Sequence, residues 1–256
     1  ITGGDEREDA RMTRADRLKP YLPPLRLVAP SLSAIAEIIR VGLPMGLTLF
    51  MEVAFFSVIA LFIATLGDVA MGAHQVAFNM WDVVYMPLVS FGSALAIRVG
   101  HAIGAGDRAA LRLSIGCGTG LTVMVGLLGM TVLLSSPATL VSLYTSDPEI
   151  AAIAVILVRI AGVFIAIDSA QVAASYCLRA FKDTRFAFFA LFLAYWLITL
   201  PLGYWRGIVS TDSALEGTVA FWQSLIVGIT VTSVLVFVRL YRTLRKPLPA
   251  AGPGAV

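Results

Sequence analysis

The chain has 256 residues, of which 58% are hydrophobic and 14% charged, with a formal net charge of +3. Soluble domains run nearer half apolar and a quarter charged, so this composition reads as an all-α integral membrane protein with no room for a sizeable soluble domain. The small net charge gives no reason to expect a nucleic-acid partner. Two cysteines, Cys117 and Cys177, offer neither a disulfide framework nor a CxxC pair, and both read as small packing residues within helices.

Residues 1–33 are polar and charged and carry Pro20, Pro23, Pro24 and Pro30. They read as a cytoplasmic arm or linker at the membrane surface. The chain opens on Ile1, and the charged stretch Asp5–Lys19 has no apolar core behind it as a signal peptide would. A fragment of a longer protein is therefore expected.

With about 20 apolar residues needed per crossing, residues 34–243 hold six predicted spans. They are Ile38–Leu66, Ala73–Val99, Leu113–Leu134, Ile150–Cys177, Phe186–Ile208 and Gly217–Leu240. Residues 244–256 form a tail. Pro44, Pro87 and Pro201 lie where they can bend their helices. Gly116, Gly118, Gly120, Gly126 and Gly129 make the third span suited to close helix approach.

The connections are asymmetric in charge. Arg98, Arg108 and Arg112 flank the second loop, Arg179, Lys182 and Arg185 the fourth, and Arg239, Arg242, Arg245 and Lys246 follow the last span. The opposite connections hold only Arg206. The positive-inside rule then puts both termini in the cytoplasm, in a multi-pass protein of the inner (plasma) membrane.

Glu52 and Asp168 each lie deep inside an apolar span. A carboxylate near mid-bilayer costs roughly 2.5–3.5 kcal/mol on insertion scales, and such residues are functional by default. The pair is expected to hold and release a cation or proton. A cation beside a carboxylate favours its ionised form, so cation binding expels a proton or another cation, the physical core of antiport.

At about 100° per residue, Gln75, Asn79, Asp82, Met86 and Ser93 share one stripe of the second span. Asp168, Gln171, Ser175 and Arg179 share one on the fourth, with Phe164 a turn before Asp168, while Thr48 lies a turn before Glu52. Polar side chains in lipid must face protein or water, so these stripes predict a hydrated acidic cavity between helices. Tyr85, Phe164 and Trp196 as lining would suit lipophilic cations through cation–π attraction.

Asp82 and Arg159 lie at matching depth, roughly 13 Å from the outer ends of their helices, which slightly favours an ion pair; the alternative is that Arg159, about 180° round its helix from Asp168, snorkels to the interface. His74 and His101 fall at opposite membrane faces and are expected to be interfacial. Gly104–Asp107 reads as a turn with helix-cap chemistry. No nucleophile and base share one depth, so no enzyme is predicted.

These residues resemble a known family. Arg40-Val-Gly-Leu-Pro-Met-Gly46, Glu52 and Ala73-His-Gln-Val-Ala-Phe-Asn79 look like the start of the second half of a multidrug and toxic compound extrusion (MATE) transporter. Ile97-Arg-Val-Gly-His-Ala-Ile-Gly-Ala-Gly-Asp107, Tyr144-Thr-Ser-Asp-Pro-Glu149, Asp168-Ser-Ala-Gln-Val-Ala173, Leu178-Arg-Ala-Phe-Lys-Asp183 and Tyr195-Trp196 continue it in family order. The resemblance is to the NorM-like branch. It implies a six-helix C-terminal lobe, cation-coupled (Na+ or H+) export of amphipathic cationic drugs, and a coupling-ion site at Glu52 and Asp168, metal-binding where the ion is Na+. It implies no cofactor besides that ion. A tyrosine commonly found one turn before the second acid is replaced by Phe164, which removes a hydroxyl ligand, and Asp82 and Arg159 depart from neutral positions.

Family members have two six-helix lobes, so a missing N-terminal lobe or a second copy of this chain is the expected partner within the bilayer. The alternatives are a truncated, non-transporting membrane protein and a lipid or precursor flippase of the same broad superfamily.

Overall fold

The computed structural model describes residues 31–246. Most of the arm at 1–33 and most of the tail at 244–256 lie outside the described residues. By compactness the chain divides between Arg40 and Val41, and the packing below belongs to the second unit.

The described residues form α1 (Leu32–Ala64), α2 (Asp68–Gly104), α3 (Arg108–Ser135), a short α4 (Pro137–Ser142), α5 (Pro148–Ala180), the composite α6 (Thr184–Val209) and α7 (Ala214–Leu244). All but α4 are long and apolar enough to cross a membrane, which gives the six predicted spans. The helices outrun the apolar windows because their ends carry polar caps. Asp107 accepts hydrogen bonds from the amides of Ala109 and Ala110 at 2.8 and 3.0 Å and starts α3, as its turn chemistry predicts. Asp147 does the same for Glu149 and Ile150, with Pro148 at the first helical position of α5.

Helix α5 is the hub, packing on α2, α3 and α7. Its buried residues run the length of the helix, from Ile153 and Ala154 to Cys177 and Leu178, while Ala152, Arg159 and Val163 mark an exposed face. Close approach to α3 depends on Gly126, where a Cβ would fall on the Ser169 side chain of α5. Gly118 and Gly129 are similarly covered by Leu95 and Val84, while Gly116 and Gly120 face open space, so the small-residue run packs only in part. Cys177 is buried as expected. Cys117 is exposed, because it lies on the outward face of α3.

Two turns at one end of the bundle share one geometry. The Asp107 amide donates to the Ala102 carbonyl at 3.1 Å, and the Asp183 amide to that of Leu178 at 2.9 Å. Each turn passes through a left-handed residue, Gly106 at φ 68° and Lys182 at φ 60°. Glycine adopts this freely, whereas lysine holds it against its Cβ.

Helix α6 alternates between α and π winding. Its π stretches are Phe192–Thr199 and Trp205–Val209, separated by an α turn, Leu200–Tyr204, that contains Pro201. Proline supplies no amide to the ladder, so irregular winding beside it is unsurprising.

Candidate functional site

A cavity of about 480 Å³ opens between α1 and α2. The periodicity of α2 builds one wall, since Gln75, Phe78, Asp82 and Tyr85 recur at three- and four-residue spacing and all line it. From α1 come Glu52, Phe56 and Ser57. The aromatic rings are continuous along the wall: Phe56 and Phe78 lie 5.4 Å apart, Phe78 and Trp81 5.4 Å, and Trp81 stacks on Tyr85 at 4.7 Å. An apolar, aromatic hollow with a few carboxyl and amide groups is the usual form of a small-molecule site.

Glu52 is half-buried on this cavity, with the Tyr85 hydroxyl as its hydrogen-bonding neighbour and Arg179 as the cation that faces it. Asp168 lies behind, 4% exposed on α5, within electrostatic reach of Glu52, Tyr85 and Tyr195. Its Oδ2 finds no hydrogen-bond partner among the described residues. A buried carboxyl oxygen without a partner is costly and calls for an occupant or a proton.

The remaining predicted residues divide between the cavity and the wall behind it. Gln75, Asp82 and Tyr85 line the cavity with Glu52, and Asn79 stands exposed on the same stripe, its amide donating to the Gln75 carbonyl at 2.8 Å. Phe164 is buried and meets Trp81 edge-on at 5.8 Å. Gln171 donates to Ser175 Oγ at 3.1 Å on α5. Trp196 is half-buried, and its indole N–H donates to the Met51 carbonyl at 3.3 Å, which ties α6 to α1 beside Glu52. Next to it Tyr195 stacks on Phe55 at 4.6 Å. Thr48 turns its hydroxyl to the Pro44 carbonyl at 2.7 Å and does not line the cavity.

Two expectations are overturned. No ion pair joins Asp82 to Arg159: Asp82 is on the cavity wall, and Arg159 is exposed on the face of α5 opposite buried Asp168. Matching depth does not fix azimuth. His74 is buried, not interfacial, and lines the same cavity. Helix α2 starts at Asp68, ahead of the apolar window, and Trp222 of α7 covers the imidazole, donating to Nδ1 at 3.2 Å. His101 is exposed, as expected.

The aromatic wall of Phe56, Phe78 and Trp81, together with His74 and Tyr195, went unread in the sequence. The signal was present for α2: Phe78, Trp81 and Tyr85 recur at the spacing of one helix face, interleaved with the polar stripe. For Tyr195 the family resemblance marked the residue but periodicity could not place it, because π winding breaks the period on which such reading depends.

Comparison with known proteins bears on the family and the fold. The MatE family model matches residues 44–205. Among curated relatives, the multidrug resistance protein MdtK of Edwardsiella ictaluri is 34% identical over 240 residues, 92% of this chain and 52% of the relative. The multidrug resistance protein PmpM of Pseudomonas aeruginosa is 34% identical over 217 residues, 85% of this chain and 46% of the relative. The chain thus spans about half the length of the curated relatives it matches. The eukaryotic MATE transporter AtDTX14 shares the fold with a TM-score of 0.75 at 17% identity, over 88% of this chain and 51% of that one. An outward-facing MATE family multidrug resistance transporter superposes with a TM-score of 0.74 at 16% identity, over 82% and 46%.

Proposed function

The chain belongs to the MatE family, and on that premise we propose that it is the C-terminal lobe of a cation-coupled multidrug efflux antiporter. The observation that carries the reading is Asp168, a carboxyl buried in a membrane-spanning helix with one unpartnered oxygen, facing a second acid that opens onto an aromatic cavity. Glu52 and Asp168 hold Na+ or H+, and the cavity beside them holds an amphipathic cation.

The two ligands compete through charge. A cation at the acid pair neutralises the field that attracts a cationic drug into the cavity, and a bound drug raises the cost of the coupling ion. Glu52 belongs to both sites, which makes the coupling short. The polar stripe of α2 is exposed on this lobe, with Gln75, Asn79, Met86 and Ser93 on its outer face. In a two-lobe transporter that face lines the space between halves that rock against each other. In this reading the protein is multi-pass in the inner membrane, with both ends cytoplasmic.

The test is drug export, with its ion dependence, from cells carrying the two-lobe protein that includes this chain. The variant Glu52→Gln plus Asp168→Asn is expected to abolish ion-driven export while reaching the membrane in normal amount. Unchanged export and ion dependence in that variant would sink the coupling role.

A further inference from the structure

At the end of the bundle that carries the two matched turns, the start of α3, the α5–α6 turn and the end of α7 enclose a second cavity of about 740 Å³. Its lining holds Arg108, Arg112, Lys182, Arg239, Arg245 and Lys246 against one carboxylate, Asp183. That carboxylate is already engaged, since Asp183 Oδ2 lies 2.6 Å from Arg239 Nε. Among the described lining residues the cations therefore outnumber the carboxylates, and Asp183 is taken up by Arg239.

Three of the arginines are held in place before any ligand arrives. Arg239 is fixed by Asp183 and by the Phe186 ring, whose centroid is 5.1 Å from the guanidinium carbon. Arg245 lies over the Tyr241 ring at 4.3 Å and bonds its hydroxyl. Arg108 donates to the Lys246 carbonyl at 3.2 Å, closing α3 onto the end of α7. Arg112 is exposed and makes no hydrogen bond or ion pair with any described residue. The left-handed backbone at Lys182 brings the α5–α6 turn onto the rim.

The lining also holds apolar side chains, Leu111, Ile115, Phe181 and Leu244, interleaved in sequence with the basic ones. A soluble anion needs the guanidinium groups and has no use for these. A phospholipid uses both, its phosphodiester on the arginines and its glycerol and upper acyl chain on the apolar side chains. The cavity also sits at the ends of membrane-spanning helices, where headgroups lie. Guanidinium forks match phosphate oxygens two at a time.

We infer that this cavity is a binding site for the headgroup of an anionic phospholipid, separate from the drug and coupling-ion sites.

The test is lipid retention on the purified protein, measured by native mass spectrometry with phosphatidylglycerol and phosphatidylcholine as probes. Wild type is expected to keep phosphatidylglycerol in preference to phosphatidylcholine. At about 5-fold per cationic side chain, Arg108→Gln plus Arg112→Gln should reduce that preference by on the order of 25-fold. Size-exclusion elution reports whether the double variant is folded. If it is not, Arg112→Gln alone, which breaks no described contact, should still lose about 5-fold. Arg206→Gln, at the far end of α6, should change nothing. Equal retention of the two lipids by wild type, or an unchanged preference in Arg112→Gln, would overturn the inference. So would displacement of phosphatidylglycerol by excess inorganic phosphate, which would make this a site for soluble anions.

Discussion

Asp168 and Glu52 lie within electrostatic reach of each other, yet their surroundings are built to different standards. Around Asp168 the helices are close-packed: Ser169 beside it presses onto Gly126, Phe164 is buried a turn before, and Tyr195 closes the side facing α6. Around Glu52 the packing stops at a cavity of about 480 Å³, and the residue is part-exposed along it. A rigid compartment selects what it holds by geometry, whereas an open one admits ligands of varied shape. The contrast fits the proposal of a small ion on one side and assorted drugs on the other.

This contrast can be broken by experiment. Removing the inner acid should cost most. Asp168→Asn is expected to weaken coupling-cation binding by on the order of 100-fold, about 3 kcal/mol, read from cation-dependent tryptophan fluorescence of the purified two-lobe protein. Next comes packing. Gly126→Val should lower stability by about 2 kcal/mol, seen as a fall in the detergent melting temperature, because the new methyl groups land on Ser169. Glu52→Gln, at a residue bordering the open cavity, should weaken the cation by roughly tenfold, about 1.4 kcal/mol, in the same fluorescence assay. Equal losses at Glu52 and Asp168 would erase the distinction between the two compartments.

A gain is also expected. Phe164→Tyr adds a hydroxyl one turn before Asp168, where an unpartnered carboxyl oxygen awaits a donor. It should raise the melting temperature by the equivalent of about 1 kcal/mol, and no rise would show that the hydroxyl cannot reach. The smallest effect is assigned to the open wall. Ser57→Val removes an exposed hydroxyl bonded to its own helix at Val53 and should change stability by less than about 0.5 kcal/mol.

Much of this was legible in the residues themselves. Apolar length marked the six spans, since each helix must satisfy its backbone internally and cover the hydrocarbon. The stripe through Gln75, Asn79 and Asp82 was legible because one helical period decides which side chains share a face. What stayed hidden depends on partners distant in sequence. His74 is buried because Trp222 reaches it from α7, and nothing near residue 74 announces that. Asp82 and Arg159 match in depth, but the rotation of each helix is set by its neighbours. Tyr195 escaped because α6 leaves the α-helical period.

That departure in α6 has a consequence for the whole chain. A π turn is too wide for the α-helical ladder and closes bonds across five residues instead, and inside hydrocarbon no water is at hand for any carbonyl left over at the change of winding. In the first π stretch Thr199 bends back to the Ala194 carbonyl at 2.8 Å, and just past the second Ser210 bends back to that of Trp205 at 2.9 Å, each across five residues. Gly228 on α7 leaves the room that the Thr199 hydroxyl occupies. Of the two, the Thr199 hydroxyl is buried within the span and gives the Ala194 carbonyl a donor there, while exposed Ser210 reinforces a carbonyl that already accepts from its own amide. The out-of-step winding goes with Tyr195 and Trp196, adjacent in sequence, both meeting α1.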